Sequence, residues 1–165
     1  MKMNTKSTVA LFAAVALVPC LVRADGLVSE RTISLNAAIE MATASVEHCR
    51  ADGFKVTITV LNRHARTAVV LSDDGAGPHT IENSLRKAYT AFTTRSPSGD
   101  MGKRPEPLLR GLLLVDKLTL LEGGLPIFAG KELVGAIGVS GSPAGDKDAA
   151  CAKFGIDKIA KKLAV

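Results

Sequence analysis

From about residue 34 onward the apolar positions of this chain follow two alternating periods, and each stretch predicts its own element. Leu35, Ala38, Ile39, Ala42, Val46 and Cys49 recur at three- and four-residue spacing, which predicts a helix started by Ser34 and stopped at Gly53. Val56, Ile58 and Val60 then alternate with Thr57 and Thr59. The pattern breaks over 62–65 and resumes through Val69 to Leu71, predicting a β-hairpin. After the turn Gly75-Ala76-Gly77-Pro78 the helical period returns, with Ile81, Leu85, Ala88, Tyr89 and Phe92 on the side assigned to the core and Asn83, Arg86, Thr90 and Thr94 on the other.

Ser, Pro, Gly and charged residues fill 95–107, an irregular surface excursion within one domain, and 108–121 reads as a short turn followed by a strand. The segment Gly123 to Gly141 holds six glycines in nineteen residues, yet Leu, Ile, Phe and Val fill the spaces between them. It predicts a strand over Pro126 to Ala129, a tight turn at Gly130-Lys131 and a second strand over Glu132 to Ser140, with Gly135 and Gly138 leaving room for a close neighbour. A last helix, capped by Asp146 and interrupted near Gly155, carries Ala150, Phe154, Ile159 and Leu163. Tight connections make the sheet largely antiparallel, and apolar strand positions on both faces call for helices as cover, an α/β (α+β) layout.

The N-terminal residues follow a different logic. Lys2 and Lys6, the apolar run Val9 to Val18 and the small-residue ending Val22-Arg23-Ala24 form a secretory leader over 1–24, leaving a single domain over 25–165. The run is too short to span a bilayer, so an exported protein with no integral membrane segment is expected, periplasmic or secreted. A lipid anchor on Cys20 is disfavoured by Pro19 before it. Of 21 basic and 16 acidic side chains, Lys2, Lys6 and Arg23 leave with the leader, so the balance falls to 18 against 16, or +2. That charge, one Tyr and no Trp exclude a nucleic-acid binder built on a basic, aromatic surface. Cys49 and Cys151 remain in a compartment that permits disulfides; a structural bridge, two inert buried thiols and a redox-sensing pair all satisfy the sequence.

Motifs for covalent catalysis are weak, and no catalytic residue is assigned. The run Gly138 to Ser142 resembles a nucleophile elbow loosely, but Pro143 follows it where a helix should begin. Asp74 to Pro78 precedes a helix without the Lys-Ser/Thr of a phosphate loop. His48, His64 and His79 lack metal-site spacing, and His48 and His64 read as surface residues. His79, which opens the second helix, has a distinct setting, although a plain surface histidine explains it as well. A lone histidine suffices for haem, whose equatorial ligands come from the porphyrin.

Two segments, Asp73 to Phe92 and Gly123 to Ile156, carry a more specific signal. They resemble the GlcG/HbpS-like family of haem-binding domains, also seen as the C-terminal domain of some cobalamin adenosyltransferases. The first matches in its aspartate-Gly turn and Lys87 to Ala91, the second in its Gly-Gly-x-Pro-Ile, its Gly-Ala-Ile-Gly-Val-Ser-Gly and the aspartate that follows, here Asp148. The likeness runs from about Ile33 to Ala164. It implies a profilin-like sandwich with a five-stranded antiparallel sheet covered by helices, a homo-oligomer, and haem held near subunit contacts. It further implies Thr90 or His79 as alternative haem-iron ligands, with Arg86 and Lys87 approaching the propionates. The turn Asn62-Arg63-His64 departs from the Asp and Gly of many relatives. One Tyr and five Phe, of which Phe12 leaves with the leader, fit a shallow or intersubunit site better than a deep one. An exported haem binder for scavenging, storage or redox sensing is the first expectation. An auxiliary oligomer that binds a small organic acid or carbonyl metabolite without haem is the second, and haem degradation the third.

Overall fold

The computed structural model describes residues 26–164, so the leader expected over 1–24 lies outside the described residues. Ser34 starts the first helix as its spacing predicts: its side chain accepts a hydrogen bond from the Ala37 backbone N–H, and α1 runs over Leu35–Ala51. The hairpin follows as β1 (Thr57–Asn62) and β2 (Thr67–Ser72), then α2 (His79–Thr94). The glycine-rich segment forms β3 (Gly124–Ala129) and β4 (Glu132–Ser140), and α4 (Gly145–Lys158) with the short α5 (Ala160–Leu163) closes the chain. Between α2 and β3 lie a 3-10 turn (Ser98–Lys103) and α3 (Glu106–Leu113).

The sheet has four strands in the order β2-β1-β4-β3, all antiparallel, not the five expected. The missing strand is the apolar run after Pro105. Proline sits ahead of the first turn of a helix without loss, and Glu106 favours its N-terminus, so 106–113 coils instead of extending. Past it, Thr119 donates its backbone N–H to the Thr90 side chain and joins no ladder.

The two faces of the sheet are covered by different chemistry. Ile58, Val60, Ile127, Ile137 and Val139 pack against Ala38, Met41, Ala42 and Val46 of α1 and Ala152 of α4, forming the hydrophobic core. Cys49 and Cys151 join α1 to α4 through a disulfide buried in that layer, with Cα atoms 5.7 Å apart. The structure thus selects the bridge among the alternatives left open by the sequence. The helix α4 starts at Gly145, with Ala144 and not Asp146 as its N-cap, and continues through Gly155. A side chain at Gly155 would overlap the Ser45 hydroxyl, so glycine serves the close α1–α4 approach there and no break results.

On the other face, α2 meets the sheet through small and polar residues. Thr80 and Ser84 are buried, with Thr57 Oγ1 to Thr80 Oγ1 at 2.7 Å and Thr59 Oγ1 to Ser84 Oγ at 2.8 Å. Gly124 and Gly138 are cross-strand partners directly beneath the helix. An added Cβ at Gly138 would overlap the Ser84 carbonyl oxygen and lie 2.6 Å from the Ala88 nitrogen, and one at Gly124 would overlap the Lys87 carbonyl. Backbone-to-backbone contact of this kind rotates α2 relative to the expected orientation: Ile81, assigned to the core, is 52% exposed, whereas Thr90, assigned to the outer side, is 0% exposed. Apolar periodicity misplaces this helix because the strip it lies on has no side chains to receive large residues. Gly138→Ala is expected to destabilise the fold by about 3 kcal/mol, the upper end for overpacking, since the obstructing atoms are backbone. Urea unfolding checks this, and a loss below about 1 kcal/mol would contradict the close packing.

Candidate functional site

The helix α2 stands over two cavities, one at each end. Among the described residues no group of three or more His, Cys, Asp or Glu side chains converges on a metal-sized point, and no helix is long and apolar enough to cross a membrane.

The first cavity, about 400 Å³, lies at the N-terminus of α2. Its lining includes His79, Asn83 and Lys87, four residues apart and so on one stripe of the helix, together with Leu120, Leu121 and the 141–145 loop. The imidazole of His79 is exposed and leans on Gly77, where an added Cβ would lie 2.8 Å from the ring. Gly77 therefore leaves the ring room to lie against the turn, and a side chain there would push the ring aside. Ahead of it, Asp73 fixes the turn: its buried carboxylate accepts from Arg50 Nη2 at 2.6 Å, and that hydrogen bond, first among several causes, holds its pKa below the usual carboxylate range. The Asp74 to Pro78 segment is thus a braced turn that delivers His79.

Lys87 and Asp148 form the inner wall. Lys87 is 4% and Asp148 3% exposed; the ammonium donates to Asp148 Oδ2 at 2.6 Å and to the Val139 carbonyl at 3.0 Å. The other carboxylate oxygen accepts from the Ser142 N–H at 3.0 Å and from its hydroxyl at 2.6 Å. One buried ion pair thereby ties α2, β4, the 141–145 loop and α4 together. The resemblance pointed to both residues separately; their union was not legible, because they stand 61 positions apart.

The residues expected to form the haem site are only partly brought together. His79 and Lys87 share this cavity. Arg86 lies on the solvent flank of α2, its Nε donating to Glu82 at 2.8 Å. Thr90 follows His79 by eleven residues, about 16 Å along the axis. It is sealed from solvent, its Oγ1 accepting from the Thr119 N–H at 3.0 Å.

The second cavity, about 360 Å³, lies at the C-terminal end of α2. Tyr89, Phe92 and Arg95 of the helix end face Arg63 and His64 of the β1–β2 turn and Leu133 of β4. The sequence reading missed this grouping. Tyr89 and Phe92 were assigned to the core, and Arg63 and His64 were set aside as a turn that departs from relatives.

A helix-covered antiparallel sheet whose second helix stands over two cavities defines an α+β domain of the HbpS-like fold. A double mutant of HbpS from Streptomyces reticuli superposes with a TM-score of 0.77 and 34% sequence identity, covering 86% of this chain and 97% of that one. A PduOC–haem complex superposes with a TM-score of 0.71 over 78% of this chain and 95% of that one; at 23% identity it speaks to the fold alone. An uncharacterized 15.0 kDa protein from the dhaT-dhaS intergenic region of Citrobacter freundii is 32% identical over 114 residues, 67% of this chain and 80% of its own length. Residues 33–157 match the family described as haem degrading protein HbpS-like, and the chain belongs to that family.

Proposed function

We propose that this is an exported haem-binding protein, acting in the periplasm or outside the cell in haem scavenging, storage or redox sensing, and working as a homo-oligomer. Family membership across residues 33–157 carries the reading, and a domain of the same fold has been solved as a haem complex. The first cavity fits a surface-held haem. His79 is the free imidazole, seated by Gly77, with Leu120 and Leu121 as an apolar wall. Arg86 lies on the same helix flank with its Nη groups unpaired by carboxylates among the described residues, and so serves a propionate. Lys87 reaches a propionate only by leaving Asp148, and Thr90 reaches iron only if the Thr119 segment moves aside. Bound haem supplies a redox-active iron; the chain's own part is to ligate it, orient it and shield one face.

Self-association is supported by an unusual run of exposed apolar residues. The helix α3 buries no residue, and Leu108, Leu113, Leu114, Val115, Leu120 and Leu121 are all exposed, Leu114 at 88%. Such a concentration marks an interaction surface. A neighbouring subunit seated there covers Leu120 and Leu121, and with them the mouth of the His79 cavity.

The second reading, a small organic acid or carbonyl ligand without haem, draws on the buried Lys87 ammonium and the Asn83 amide in the same cavity. Hemin titration of the protein lacking residues 1–24 separates the two. A Soret band that saturates at fixed stoichiometry is expected, and His79→Ala is expected to shift the band and weaken binding at least about tenfold, the loss of an axial ligand. A spectrum equal to free hemin plus protein sinks the haem reading; an unchanged His79→Ala spectrum removes His79. Intact haem after incubation with reductant and oxygen argues against degradation.

A further inference from the structure

The cavity at the C-terminal end of α2 is part of a longer groove. A second hollow shares Arg63, Arg95 and Leu133 with it and adds Arg31, Lys131 and Glu132. One wall is aromatic: Tyr89 and Phe92, three residues apart on α2, are neighbours on the helix surface and both half-buried. Lys117 stands over the Tyr89 ring, 5.7 Å from its centroid.

The rim is cationic and in part already ordered. Arg63 is held by Glu30 at 3.2 Å, by Glu132 at 3.2 Å and by donation to the Leu133 carbonyl at 2.7 Å. Glu132 also takes Arg31 Nε at 2.8 Å, and that hydrogen bond above all holds its carboxyl pKa below the usual range. His64 lies 3.8 Å from Glu30. Four fixed cations that line the groove, Arg31, Arg63, Arg95 and Lys131, therefore face two carboxylates, Glu30 and Glu132, an excess of +2 before Lys117 and His64 are counted. Arg95 and Lys131 have no carboxylate within ion-pair distance among the described residues.

Lys117 covers one face of Tyr89, so a ligand ring meets the wall on the remaining surface of Tyr89 and on Phe92, and guanidinium groups take carboxylates in paired hydrogen bonds. The free cations are spread along the rim, on the α2 terminus and the β3–β4 turn, which suits two separated anionic groups better than one compact phosphate. We infer that this groove binds a planar aromatic dicarboxylate, its ring on Tyr89 and Phe92 and its carboxylates on Arg95, Lys131 and the rim arginines. The site goes beyond the haem reading given above: Phe92 lies about 20 Å along the helix axis from His79, so the two are addressed by different variants. A tetrapyrrole with two propionates and a smaller ring diacid share this chemistry.

The test uses metal-free protoporphyrin IX, its dimethyl ester, naphthalene-2,6-dicarboxylate and adenosine monophosphate, titrated into the protein lacking residues 1–24. The chain has one tyrosine, so the Tyr89 ring resonances in proton NMR are an unambiguous reporter of this groove. At least one of the two dicarboxylates is expected to shift those resonances to saturation, while the dimethyl ester and adenosine monophosphate do not. Arg95→Glu/Lys131→Glu, at two exposed positions, is expected to weaken that binding at least about tenfold, as loss of charge-assisted hydrogen bonds requires. Binding of the porphyrin alone identifies a tetrapyrrole groove; binding of the naphthalene diacid as well identifies a site for ring diacids in general. Tyr89 resonances unmoved by either acid, or affinity in the double variant within twofold of the parent, overturn the inference. Equal response to adenosine monophosphate overturns the carboxylate assignment. A hemin Soret band without any Tyr89 response leaves the haem reading standing and removes the groove, and the converse leaves the groove standing alone.

Discussion

Replacing both Cys49 and Cys151 by alanine is expected to lower stability by about 3–5 kcal/mol and the thermal midpoint by about 10 °C or more. The bridge joins residues 102 positions apart, so it closes a loop that contains β1, β2, α2, α3, β3 and β4. In the chain-entropy account, removing such a constraint frees the unfolded ensemble by about 4.7 kcal/mol at this loop length. The native state adds a smaller loss, since the bridge is fully enclosed between α1 and α4 and alanines leave a gap there. The double variant is the right comparison because a single replacement leaves an unpaired thiol. Urea unfolding of parent and variant measures the difference, and a change under about 1 kcal/mol would show that packing of α1 on α4 suffices without the bridge. Burial of both half-cystines also counts against a redox sensor, whose cysteines are solvent-accessible. A persistent disulfide is at home in an oxidising compartment, which supports the export proposed above.

Local signals were legible where neighbours in sequence decide the element. The Ser34 cap, the alternation of Val56, Ile58 and Val60, and the Gly130-Lys131 turn each led to the element they forecast. The failures share a cause in tertiary contact. The helix α2 was turned the wrong way because Gly124 and Gly138 draw it down by its small residues, Thr80, Ser84 and Ala88. A face of threonine and serine opposite a face of isoleucine and phenylalanine reads as solvent-facing until the threonines of β1 are seen beneath it. The same rotation closed Thr90 inside and left Tyr89 and Phe92 at the lip of a groove. The run after Pro105 was read as a strand because apolarity alone does not say whether a residue faces this chain's core or another surface. Of the candidate site, His79 was legible from its turn, whereas the environment that engages Lys87 comes from β4 and α4 and could not be.

Asp148→Ala is expected to cost about 3–5 kcal/mol, whereas Lys87→Met/Asp148→Leu remains within about 1–2 kcal/mol of the parent. The asymmetry follows from burial. With the carboxylate gone, the Lys87 ammonium keeps only the Val139 carbonyl, and a charge that is 96% enclosed by residue exposure has no counterion. The Ser142 N–H and hydroxyl lose their acceptor in the same step, loosening the loop that forms the cavity wall. Removing both charges also removes the desolvation that their attraction offsets, and methionine with leucine fills the space, so little net loss remains. A double-mutant cycle by urea unfolding, with Lys87→Met and Asp148→Leu as its single variants, should therefore return a coupling of about 2 kcal/mol or more. A double variant as unstable as Asp148→Ala would locate the cost in the Ser142 loop instead of the ion pair. The same variants test the role of Lys87 toward a ligand. Because the ammonium is held by Asp148, hemin affinity of the double variant is expected within twofold of the parent, and a tenfold loss would show that the cavity needs either Lys87 or the Ser142 loop that Asp148 anchors.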